Sequence, residues 1–146
     1  MKWEDCAIYD LKHFRLWQRS AENLEDRIKM LDERMRTCRT VQLTGMPSNH
    51  GTGERTVDDT WIDCITEKEN VGISLSVEQK RLKLIERGLA VLTEEELLVL
   101  TKFYIARTPS YLDDLCEALH VERSKVYSIR KTALWKFTVA EYGIDT

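Results

Sequence analysis

Between Phe14 and Cys38, apolar residues recur in alternating steps of three and four: Phe14, Trp17, Ala21, Leu24, Ile28, Leu31, Met35 and Cys38. This unbroken seam runs for more than three heptads. A strand alternates its faces with period two and could not keep such a set on one side, whereas a helix does so directly. A long N-terminal heptad helix is therefore expected. Trp3, Ile8, Tyr9 and Leu11 suggest that it begins near Trp3, and Asp10 interrupts the seam one step upstream of Phe14, shifting its register.

An apolar seam needs a cover, which the rest of the chain, a second copy or another protein could supply. Arg27 and Asp32 fall at a g position and the following e position, where they could pair across two parallel helices. Arg34 and Arg39 stand in the same relation and would repel. The charges leave intrachain packing, a homodimer through this helix and a foreign partner all open.

With only two prolines and six glycines in 146 residues, long helices are permitted. The balance of 32% charged and 42% hydrophobic residues suits an all-α protein: one domain, or a small domain with an arm. No apolar run approaches the ~20 residues needed to cross a bilayer, and Met1-Lys2-Trp3-Glu4-Asp5 lacks the apolar core of a signal peptide. The expectation is a cytoplasmic protein with no membrane partner.

Four cysteines (Cys6, Cys38, Cys64, Cys116) and three histidines (His13, His50, His120) are scattered without C-x-x-C or metal-ligand spacing. Gly51-Thr52-Gly53 lacks the Gly-Lys-Ser/Thr ending of a phosphate loop. With no nucleophile–base pair either, the chain is expected to be no enzyme and to carry no metal or other cofactor.

Turn formers crowd residues 41–56, which reads as a flexible linker between the heptad helix of residues 1–40 and a helical domain of residues 57–146. A helix is expected over 57–70, with Trp61, Ile65 and Cys64 inward and Asp58, Asp59 and Asp63 favoured by the helix dipole in its first turns. Val71-Gly72 should break it. Ser74 or Ser76 would then cap a further helix through Val77, Leu82, Leu84, Ile85 and Leu89.

Thr93-Glu94-Glu95-Glu96 has the capping-box pattern, with Thr93 accepting from the third helical amide and Glu96 bonding back to the cap. The helix it opens carries Leu97, Leu100, Phe103 and Tyr104, and Pro109 should end it.

From Pro109 onward the pattern is two amphipathic helices around a short turn, a helix-turn-helix at about residues 110–140. Leu112, Leu115, Cys116 and Leu119 face inward on the first helix, and Val121 plugs the turn back into the core. On the second, Val126, Ile129, Ala133 and Phe137 form a stripe broadened by Leu134 and Trp135. Residues 122–138 hold five basic side chains against one glutamate, a net +4, whereas residues 93–121 carry −4. The slightly negative whole-chain charge of −3 therefore hides a local positive face. Arg123, Ser124, Lys125, Tyr127, Ser128, Arg130 and Lys131 are the candidate DNA-binding residues, because lysine and arginine meet phosphates and the helix start meets base edges. The plain alternative is a solvated basic face on an ordinary bundle. With roughly four phosphates neutralised, log affinity should fall with log salt at a slope of about −3.6.

Leu92-Thr93-Glu94-Glu95-Glu96-Leu97-Leu98-Val99-Leu100 followed by Phe103-Tyr104-Ile105 resembles the opening of region 4 of bacterial sigma factors. Residues 115–127 with Ala133-Leu134 resemble its helix-turn-helix. More narrowly, the heptad helix, the Gly/Pro linker and the ending through Ala140-Glu141-Tyr142-Gly143 are similar to phage late transcription regulators of the RinA/ArpU type. The likeness to region 4 covers residues 92–137; the wider one spans most of the chain by pattern. It implies a phage- or prophage-encoded, sequence-specific regulator of transcription that acts in the bacterial host cell, binds double-stranded DNA and could contact RNA polymerase. Three positions depart from the pattern: Cys116 replaces alanine, His120 stands where the turn usually has glycine, and Glu122 holds a cap position where serine is common. His120 demands an altered turn, and Glu122 beside phosphates would weaken binding. The competing reading is a helical protein-interaction module, such as an anti-sigma or adaptor protein.

Overall fold

The computed structural model describes residues 2–43 and 57–144, and all its elements there are helical. They are α1 (Trp3–Leu43), α2 (Val57–Ala90), α3 (Glu94–Leu100), α4 (Tyr111–Leu119) and α5 (Arg123–Tyr142), with a π-helical turn, Thr101–Ile105, prolonging α3. The all-α class and long N-terminal helix are as the heptad pattern requires. Most of the expected linker, residues 44–56, lies outside the described residues, and α1 continues through Leu43.

Contacts divide the chain into two units, Met1–Gln18 with Lys80–Thr146, and Arg19–Gln79. These boundaries are not the expected ones at residues 40 and 57, because α1 and α2 each contribute to both units.

In the second unit the seam of α1 packs on α2 of the same chain. Ala21, Leu31 and Cys64 are buried, and Leu24, Ile28, Met35 and Cys38 are half-buried. Arg27 pairs with Glu67, Asp32 with Lys68, and Gln79 donates to Glu25, which sets the helices antiparallel. Arg27 and Asp32, which could pair across two parallel helices, here take partners on α2 of the same chain. These pairs are exposed and add little to stability; the buried apolar seam supplies most of it.

α2 also corrects the expected break. Gly72 sits inside a continuous helix of 34 residues, with nothing within 4 Å of where a Cβ would stand. A helical glycine costs about 1 kcal/mol relative to alanine, too little to stop a helix held by packing.

In the first unit, Ala7, Leu11 and Phe14 of α1, Leu82 and Ile85 of α2, and Leu100, Ala133, Leu134 and Phe137 of α3 and α5 are buried. Leu11, one residue past the seam's expected position, takes the inward place, while Asp10 accepts from the Tyr142 hydroxyl. Gly88 of α2 lies against Phe137, and a Cβ there would stand 2.7 Å from the ring. Here glycine is a packing requirement.

Candidate nucleic-acid interface

The helix-turn-helix rests on its own small core. Val99, Phe103, Leu115 and Val126 are buried together, with Leu98, Leu112, Cys116, Leu119, Val121 and Ile129 packed around them. Thr93 caps α3 by accepting from the Glu96 amide at 3.3 Å. The return half of the capping box gives way to a different bond, in which the Glu96 carboxylate takes Lys136 Nζ at 2.7 Å. That pair ties α3 to α5 and removes Lys136 from the outward charge.

α4 begins after Pro109, where Ser110 and Thr108 hydroxyls both donate to Asp114, at 3.0 and 3.3 Å. It ends on His120, whose backbone is left-handed at φ 54° and ψ 43°. The turn keeps the geometry that glycine would supply, and histidine adopts it at a cost of about 1–2 kcal/mol. The amides of His120 and Val121 both reach the Cys116 carbonyl, closing the helix end, and Val121 enters the core as expected. Glu122 is the N-cap of α5 and makes no side-chain cap bond, so the first amides of α5 lack the acceptor that serine would provide.

On α5, Val126 is fully buried and fixes the rotation of the first turns. Arg123, Ser124, Lys125, Tyr127, Ser128 and Lys131 are all exposed, spread over about 200° of the helix circumference at 3.6 residues per turn. Lys125 and Lys131 have no ion-pair partner among the described residues. Arg123 donates to Asp113 at 2.8 Å; both side chains are largely in water, so a phosphate can displace the carboxylate. The Tyr127 ring packs edge-on to Phe103, with centroids 5.8 Å apart, which steadies its orientation at the surface.

Arg130 stands apart from the other candidates. Its guanidinium lies 5.4 Å from the centroids of both Phe103 and Tyr127 and is half-buried. Its charge also opposes the effect of burial, which raises the Tyr104 hydroxyl above the usual phenol range. Arg130 thus braces the aromatic cluster beneath the surface instead of presenting itself on it. Trp135, which the apolar pattern places beside the stripe, is 54% exposed. The accessible cations fall from the five of the sequence count to Lys125, Lys131 and Arg123. Sequence reasoning missed the bracing role of Arg130, and its only available signal was the Phe103-Tyr104 pair earlier in the chain.

Among the described residues, no helix is long and apolar enough to cross a membrane. Comparison with protein-family models, with characterised proteins and with solved structures finds no match to this chain.

Proposed function

We propose that the protein is a sequence-specific DNA-binding transcriptional regulator of phage or prophage origin, which lays the start of α5 in the major groove. The observation that carries this reading is the exposure of Arg123, Ser124, Lys125, Tyr127, Ser128 and Lys131 in the first half of α5, directly after a turn closed by left-handed His120. Lysine and arginine there answer phosphates, the hydroxyls of Ser124 and Ser128 can meet base edges, and the uncapped amides of α5 favour an anion. An RNA polymerase contact belongs to the proposal through the resemblance to sigma region 4. A homodimer would have to use a face other than the seam, which α2 covers.

The test is binding of the full chain to duplex DNA containing its own promoter region, against a scrambled duplex, across a salt series. With two free lysines and the exchangeable Arg123, the log–log slope should be about −1.8 to −2.7, shallower than the −3.6 expected from charge counting. Lys125→Ala and Lys131→Ala should each make the slope about 1 unit shallower. Absence of salt-dependent binding to the promoter duplex would remove this reading.

A further inference from the structure

The C-terminal part of α2 carries an outward face that the DNA reading does not use. At 3.6 residues per turn, Lys80, Lys83, Leu84 and Arg87 fall within about 100° of arc, and Val91 prolongs the same side just past the helix end. Leu84 is 48% exposed and Val91 55% exposed. Lys80, Lys83 and Arg87 are exposed, and among the described residues none makes an ion pair. The helix dipole accounts for a cation in the last turn, where Arg87 stands, but not for Lys80 and Lys83 a turn or more earlier.

We propose that this face of α2 docks an acidic amphipathic helix of a protein partner. Charge and apolar surface select that occupant together. A second copy of the same face would set lysine against lysine and arginine. Phosphates of a nucleic acid would satisfy the cations yet leave Leu84 and Val91 against a charged backbone. A helix with leucine-like residues at i, i+3, i+4 and i+7 and carboxylates on its flanks covers the two apolar residues and meets all three cations. The lysine stems extend the apolar surface while their ammonium groups stay at the rim. An interface of this size suits a transient contact, with its on-rate raised by the charges.

The experiment titrates the isotope-labelled full chain with a synthetic peptide helix carrying that leucine pattern with glutamate flanks. The same peptide with lysine in place of each glutamate serves as control. Backbone amide shifts confined to residues 80–91 are expected with the acidic peptide and none with the basic one. The double variant Lys83→Glu/Arg87→Glu should weaken binding about tenfold, and Leu84→Ser should weaken it at low and high salt alike. All three positions are exposed, so circular dichroism should show unchanged helix. Shifts located elsewhere, or equal binding of the two peptides, would overturn the proposal. So would movement of residues 80–91 on addition of duplex DNA, or a dimer of the protein alone that Lys83→Glu/Arg87→Glu dissolves; these reassign the face to nucleic acid or to a second copy.

Discussion

The two ends of α5 are built to opposite specifications. Its first two turns bury only Val126 and turn cationic, hydroxyl and phenolic side chains outward. Its later turns bury Ala133, Leu134, Phe137 and Thr138, and finish at Tyr142, which bonds Asp10 and packs 5.0 Å from Trp3. One end is held so that the other can be presented. A single buried valine suffices to orient a surface when the rest of the same helix is locked, because a helix transmits rotation rigidly along its length.

Substitutions can test that division of labour, and the largest effect belongs to the held end. Phe137→Ala should cost about 3–5 kcal/mol in chemical denaturation, since a fully buried ring is lost from several packed helices. A loss under 1 kcal/mol would mean that the ring is not the anchor. Gly88→Ala should destabilise by about 1–3 kcal/mol, because the methyl would press on Phe137. The same change at Gly72 should stabilise by up to about 1 kcal/mol, as open space surrounds it.

The held end also carries a pH signature. Burial, then a hydrogen bond and repulsion from Asp10, push the Glu141 carboxyl up to about 8 from an ordinary 4.5. Its folded state therefore keeps a proton that the unfolded chain releases. Stability from this group is complete below about pH 4.5 and is lost as pH rises towards 8. Glu141→Gln should flatten the dependence of the denaturation midpoint between pH 5 and 8; an unchanged profile would place the titrating group elsewhere.

The presented end should respond in binding more than in folding. His120→Gly should raise stability by up to about 1 kcal/mol, because it relieves the left-handed backbone while adding freedom to the unfolded chain. Lys125→Ala and Lys131→Ala should change stability by less than about 0.5 kcal/mol while weakening DNA binding, if the proposed function holds. Equal losses in folding and binding would erase the contrast between the two ends.

Periodicity made the seam from Phe14 to Cys38 and the exposed set from Arg123 to Lys131 legible, and local cap and proline chemistry did the same for the Thr93 cap and the stop before Pro109. Each depends on near neighbours in the chain, where spacing alone decides the face or the backbone. The fate of Gly72 and Gly88 was not legible. Val71-Gly72 reads as a break in sequence, yet Gly72 is tolerated inside α2, and Gly88 is required there by a ring 49 residues away. Arg130 reads as one more cation until its position over Phe103 and Tyr127 is known, and Lys136 reads likewise until Glu96 is seen to hold it.

By itself, then, the sequence determined that the chain is helical, where its helix-turn-helix begins and turns, and which side of α5 is polar. Tertiary structure decided which apolar faces found cover within the chain, leaving Leu84 and Val91 without it, and which of five cations remained available at the surface. Local pattern fixes the faces of a helix through 3.6-residue geometry. Only contacts between distant segments decide what each face meets, because burial and ion pairing are set by which segments the fold brings together.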